Sequence, residues 1–173
     1  SILQLMQHSS GIADYRNEKG FDVSADYRPE QLIETVAAIP LAFEPGTDVK
    51  QSATNFLLLT SIIEKTGKMP YHDFVKKYQI DYLGLKQTFF GEDLAKVKQE
   101  DVTLTNNVHQ TFKKDKDYIN PSETTTGYVE KEGRLVSAPA VSPTALKGFS
   151  DIWASAENVS HWDRSEERRV GKE

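Results

Sequence analysis

The chain has 173 residues, a length that fits one domain or part of a larger one, and its 38% hydrophobic content, with eight Phe, seven Tyr and two Trp, suffices for a core and excludes wholesale disorder. Lys and Arg number 21 against 26 Asp and Glu, a formal net charge of −5 that argues against a nucleic-acid partner held by phosphate neutralisation. Cysteine is absent, apolar runs such as residues 56–59 are far below the roughly 20 residues that span a bilayer, and His8, His72, His109 and His161 offer no i, i+4 pair, so no disulfide, membrane helix, metal site or cofactor is expected.

Residues 1–8 carry Ile2, Leu3, Leu5 and Met6 at amphipathic-helix spacing, and Gly11 in Ser9-Ser10-Gly11 is expected to close that helix in the left-handed conformation. With no polar lead-in and no signal peptide, the sequence is expected to start inside a folded unit. Residues 14–26 read as a polar loop. Pro29 stands just inside a second helix whose apolar face is Leu32, Ile33, Val36 and Ala37.

Glu44-Pro45-Gly46-Thr47 is a turn sequence. Residues 52–65, with Phe56, Leu57, Leu58, Leu59, Ile62 and Ile63, predict the central buried helix, stopped by Thr66-Gly67. Were that helix to pack on segments outside these residues, residues 56–59 would be partly exposed. Pro70 restarts a helix through Phe74, Val75 and Tyr78, which leaves by Leu83-Gly84-Leu85.

Residues 92–122, including the mixed charge run Lys113-Lys114-Asp115-Lys116-Asp117, predict a solvated loop or lid. Residues 127–136 predict two strands about a Gly-bearing turn, and Pro139 and Pro143 bound the next loop. Ser155 is the natural cap of a last helix with Val159 and Trp162 on one face. Residues 164–173 hold one apolar residue and continue no face. They read either as a solvated helical tail or as a tail foreign to the gene, since the string resembles a translated cloning artefact; without them the net charge is −6.

The order of several short stretches resembles the serine β-lactamase and penicillin-binding-protein-like hydrolases, in particular the branch with class C β-lactamases. Leu5-Met6-Gln7-His8-Ser9-Ser10-Gly11-Ile12 is similar to the family's Leu-Leu-x-His-Thr-Ser-Gly segment. Pro45-Gly46-Thr47 with the helix from Asn55 to Lys65, Leu83-Gly84-Leu85 with Thr88, and Ser155-Ala156-Glu157-Asn158 with Trp162 follow in the family's order. The resemblance implies an α+β fold, the helical subdomain plus part of the α/β subdomain with its antiparallel sheet, with residues 1–163 as a partial domain made mainly of the helical part and the β-hairpin and helix after it; residues 164–173 are expected to be a non-native tail. It also suggests an extracytoplasmic or cell-envelope location.

The family works by acyl transfer from a serine activated by lysine and tyrosine, with Ser-x-x-Lys on one helix face. No serine in this sequence has a lysine three positions later. Lys65-Thr66-Gly67 spells a third family motif, but at a helix end, where it reads as a stop. The family's Tyr-x-Asn falls on Gln51-Ser52-Ala53; a glutamine amide does not titrate near neutral pH and so cannot serve as tyrosinate does. Tyr15-Arg16-Asn17 and Tyr118-Ile119-Asn120 repeat the letters in polar stretches and read as coincidences.

Ser52 reads as a helix cap rather than a nucleophile, His8 as a packing histidine, and Tyr71, Trp153 and Trp162 as core or groove-wall aromatics. Gln51, Ser52 and Asn55 are the candidates for the substrate cleft, with no catalytic residue assigned and no metal. The implied function is a fragment of a serine hydrolase of β-lactams, esters or D-amino-acid peptides, without its nucleophile motif and inactive as it stands. The alternative is a non-catalytic module of the same fold that binds peptidoglycan-like peptides or a partner protein. In the parent protein the partner would be a small-molecule or peptide substrate.

Overall fold

Ser1 begins the chain as a helix cap: its hydroxyl accepts the Gln4 N–H at 3.3 Å, while the Gln4 side chain takes the Ser1 amine at 2.7 Å, a reciprocal capping box. The helix it starts, α1 (Ile2–Met6), is shorter than its sequence spacing suggests. His8, not Gly11, takes the left-handed conformation that ends it, with φ +57°. His8 N–H donates to Leu5 O at 3.2 Å and Ser9 N–H to Gln4 O at 2.9 Å, the paired bonds of a Schellman closure. The apolar face of α1 is not buried: Ile2, Leu3 and Met6 are all exposed.

The computed structural model describes residues 1–93, 112–114, 117–119 and 127–170. The chain forms two compact units, one of Ser1–Phe74 with Ala140–Asp151 and one of Val75–Pro139 with Ile152–Glu173.

The first unit is helical. Helix α2 (Pro29–Ala37) starts at Pro29 and buries Leu32 and Val36, while Ala37 at its end is exposed. Helix α3 (Ala53–Gly67) buries Ala53, Thr54, Asn55, Leu57 and Thr60; Phe56, Leu58 and Leu59 are half-buried, so the central helix is most enclosed along its first two turns. It ends at the expected Thr66-Gly67 stop, and Lys68, not Gly67, takes the left-handed conformation that closes it, at φ +51°.

Tyr15 fills the middle of this unit. The stretch expected to be a polar loop contains a 3₁₀ turn (Tyr15–Asn17) that turns Tyr15 inward against Leu32, Val36, Ala53 and Leu57. Burying side chains of this size contributes about 1.5–3 kcal/mol each. The Tyr15 hydroxyl donates to Ala145 O at 2.8 Å, and burial pushes its pKa up. Ser142 N–H to Val23 O at 2.9 Å and Tyr27 N–H to Thr144 Oγ1 at 3.0 Å tie residues 140–151 to the same core, with Phe149 packed on it.

Helix α4 (Tyr71–Val75) follows Pro70, and the Glu64 carboxylate accepts the Tyr71 N–H at 3.0 Å. Tyr71 is buried, as expected of a core aromatic. The chain continues through a π turn (Lys76–Ile80) and α5 (Asp81–Leu83), closed by Gly84 at φ +64°.

In the second unit the strands are short and antiparallel. Strand β1 (Thr88–Phe90) pairs with β6 (Ile152–Ala154), a pairing between segments far apart in sequence that no local pattern announces. Strands β2 (Phe112–Lys114) and β3 (Asp117–Ile119) pair within the charge run expected to be loop; residues 94–111, 115–116 and 120–122 of the predicted lid lie outside the described residues. The expected hairpin is present as β4 (Tyr128–Lys131) and β5 (Arg134–Ser137), joined by Glu132 and Gly133, both at positive φ, the conformation that matches strand twist in a two-residue turn.

Helix α6 (Ala156–Val170) is capped by Ser155, whose hydroxyl accepts the Asn158 N–H at 3.1 Å. It runs on through Arg164–Val170, so that part of the tail is helical. Val159, Trp162 and, on β6, Trp153 are exposed, so neither tryptophan is a core residue. Among the described residues no helix is long and apolar enough to cross a membrane.

Candidate functional site

The left-handed turn at His8 aims its ring at the start of α3. Nδ1 accepts the Ser52 N–H at 3.3 Å and lies 3.3 Å from Asn55 Nδ2, and the ring packs against Phe56 with centroids 5.1 Å apart. His8 is therefore a packing histidine that holds two backbone segments together, as its sequence position suggested. Ser10 Oγ donates to Asn55 Oδ1 at 2.6 Å and also accepts the Ile12 N–H. Asn55 is fully buried, and both ends of its amide are occupied.

Ser52 stands at the cap position of α3, yet its hydroxyl does not cap. Oγ donates to Ala13 O at 3.2 Å, beside Thr54 Oγ1, which donates to the same carbonyl at 2.7 Å. The cap comes from Asp14: its Oδ2 accepts the Ala53 N–H at 3.1 Å, placing an anion at the positive end of the helix. The Arg16 guanidinium grips the same carboxylate, with Nη2 2.6 Å from Oδ2, and stacks over the Phe149 ring at 4.4 Å. Burial would raise the Asp14 pKa, but the bonds from Arg16 and Ala53 outweigh it and hold the carboxyl below its ordinary range.

Of the three cleft candidates, the structure leaves Gln51 alone at the surface. Ser52 is 2% exposed and Asn55 0%, with their polar atoms committed to Ala13, Ser10 and His8. Both side chains are enclosed by these partners, and among the described residues no base stands at the Ser52 hydroxyl. Ala53, also at 0%, presents nothing to a ligand. Of the other Tyr-x-Asn strings, Tyr15 is a core residue, while Tyr118 is in β3 and Asn120 lies outside the described residues.

Gln51 opens onto a cavity of about 210 Å³. Its walls are stitched by three backbone bonds that run residues 8–11 alongside residues 42–50: Lys50 N–H to His8 O at 3.0 Å, Gly46 N–H to Ser9 O at 2.8 Å and Ala42 N–H to Gly11 O at 2.8 Å. Gly11 is needed here, since a side chain at its φ of +74° would run into Phe43 O. The cavity has apolar walls from Ala13, Ile39, Pro40, Ala42 and Phe43, and polar groups at Asn17, Glu18, Lys50 and Gln51. Sequence reasoning missed Asn17, Glu18 and Lys50, which come together only through these non-local bonds. Among the described residues no group of three or more His, Cys, Asp or Glu could hold a metal ion.

The family profile described as Beta-lactamase matches residues 1–172. The chain belongs to the Beta-lactamase family. Among solved structures, this β-lactamase-family chain is similar to a D-stereospecific amidohydrolase from Streptomyces sp., with TM-score 0.72 and 19% identity over 95% of this chain and 46% of that one. It is also similar to a penicillin-binding protein from Bacillus halodurans (TM-score 0.65, 17% identity, 97% of this chain and 46% of that one) and to the octameric penicillin-binding protein homologue from Pyrococcus abyssi (0.64, 23%, 98% and 35%). These likenesses establish the serine β-lactamase/penicillin-binding-protein fold, of α+β class. The β-lactamase-family chain spans less than half the length of each of these three. No curated protein matches it significantly.

Proposed function

We propose that this chain is the middle of a β-lactamase-family serine hydrolase that works by acyl transfer on a β-lactam, ester or D-amino-acid peptide, and that it has no hydrolytic activity by itself. The observation that carries this reading is that no serine precedes a lysine by three positions, while the one serine in the altered Tyr-x-Asn segment is buried and donates its hydroxyl proton to a backbone carbonyl. The substrate-facing group of this part is Gln51, with Ser52 and Asn55 supporting it from behind.

With a chromogenic cephalosporin or a nitrophenyl ester, the chain is expected to turn over at the buffer rate. A rate above background that Gln51→Ala abolishes would overturn the reading. The second reading, a non-catalytic binding module, is favoured by Gln51 and Ala53, which replace a titrating phenol and a hydrogen-bonding amide by groups that can do neither task. The two separate on the parent gene: an upstream Ser-x-x-Lys supports the hydrolase, and an intact upstream region without one supports the binding module.

We further propose residues 1–163 as the partial domain and residues 164–173 as a tail outside it. Val159 and Trp162, on the turns before the tail, are 54% and 38% exposed. Ending the chain at Asp163 is expected to leave the midpoint of urea unfolding unchanged, and a clear drop would count the tail as part of the fold.

A further inference from the structure

The cavity beside Gln51 has a charge pattern that a hydrolytic cleft for neutral esters does not require. Glu18 and Lys50 line it together, one carboxylate and one ammonium, and neither side chain has an ion-pair partner among the described residues. Each has a sequence neighbour with an amide side chain that also lines the cavity, Asn17 before Glu18 and Gln51 after Lys50, so each charge comes with a neutral hydrogen-bonding group. Asp14 also reaches the cavity, but its carboxylate is taken by Arg16 and the Ala53 N–H, which leaves Glu18 as the available acid. The lining also includes the aliphatic and aromatic side chains of Ala13, Ile39, Pro40, Ala42 and Phe43.

We propose that this cavity binds a free α-amino acid with an aliphatic side chain, in its zwitterionic form. Lys50 with Gln51 takes the carboxylate, Glu18 with Asn17 takes the ammonium, and the side chain lies on Ile39, Pro40, Ala42 and Phe43. Opposite charges that line one cavity without forming an ion pair match a ligand that carries both charges. A ligand with only one of the charges leaves the other charged group without a partner. The inference rests on the cavity and its four polar groups and not on the hydrolase reading, so either can fail without the other.

The test is titration of the full chain with leucine, followed by amide chemical shifts, with 4-methylpentanoate and 3-methylbutylamine as the analogues that lack the ammonium and the carboxylate. Leucine is expected to shift the amides of Gly11, Ala13, Ala42 and Gln51, and each analogue to bind at least tenfold more weakly. Lys50→Met is expected to weaken leucine at least tenfold and leave 3-methylbutylamine unchanged; Glu18→Gln is expected to weaken leucine while leaving 4-methylpentanoate unchanged. Neither side chain has an ion-pair or hydrogen-bond partner among the described residues, so both variants should fold, which their unperturbed amide spectra would verify. No shift at these amides with leucine, or leucine binding that survives both substitutions, overturns the proposal.

Discussion

Asp14→Ala is expected to lower the unfolding free energy by about 3 kcal/mol, measured by urea denaturation followed by circular dichroism. The carboxylate accepts the backbone N–H groups of Ala53 and Arg16 and the Arg16 guanidinium, and it is 4% exposed. A net contribution of about 1.5–3 kcal/mol is typical of one bond to a charged group, and the loss here leaves the Ala53 N–H buried without its acceptor. Arg16 is 32% exposed, so water replaces part of what it loses and its ion pair adds the smaller share. Asp14→Asn keeps one acceptor oxygen and is expected to cost about half as much. A loss below about 1 kcal/mol for Asp14→Ala would mean that α3 does not depend on this cap.

The same residue sets a pH dependence. Its folded pKa lies below the ordinary 3.8, so the unfolded chain takes up the proton first as pH falls. The stability that Asp14 supplies is therefore complete above 3.8 and disappears as pH drops through the folded value. The difference between the native chain and Asp14→Asn should accordingly be constant near neutrality and shrink in acid.

Local pattern made the helical elements legible, because 3.6-residue periodicity at Leu32 and Val36, or the apolar residues from Phe56 to Ile63, is a property of nearby residues in the chain. The hairpin was legible for a similar reason, since Glu132-Gly133 between two apolar runs is a turn signal in itself. Tyr15 was not, because it stands in a polar stretch on a 3₁₀ turn with no apolar periodicity. Part of its setting is supplied by residues 145 and 149, more than a hundred positions later. Pairing of β1 with β6 hides behind the same separation, and at three residues each the strands show no alternation to read.

At the site the lesson is sharper. Alignment from the Pro45-Gly46-Thr47 turn picked out Gln51, Ser52 and Asn55, but spacing along a helix start does not say which side faces solvent. Burial of Ser52 and Asn55 is decided by Ala13, Ser10 and His8, about 40 residues away. Glu18 and Lys50 become neighbours of one cavity only after the bonds from His8, Ser9 and Gly11 bring the two segments together.

Gly148→Ala is expected to be more damaging than Asp14→Ala, with a loss of about 4 kcal/mol, and the comparison with Gly84→Ala shows why. Both glycines are left-handed, at φ +77° and +64°. Around Gly84 no atom lies within 4 Å of an added Cβ, so the substitution there costs only the backbone strain, about 1–2 kcal/mol. At Gly148 the new methyl would overlap the Thr60 Cγ2 methyl and stand 3.1 Å from Phe56 O, against the backbone of α3.

Thr60 cannot turn aside without cost, because it is 2% exposed and its Oγ1 donates to Leu57 O at 2.8 Å. The loop cannot back away freely either: Gly148 N–H donates to Asp151 Oδ2 at 3.0 Å, Lys147 Nζ is bonded to Glu64 at 2.8 Å, and Phe149 packs on the core. Thr60→Ser removes Cγ2 and keeps the hydroxyl. In that background Gly148→Ala should therefore cost about 2 kcal/mol, close to the strain alone. If the loss stays at its full size in the Thr60→Ser background, the damage does not arise from the contact with the Thr60 methyl.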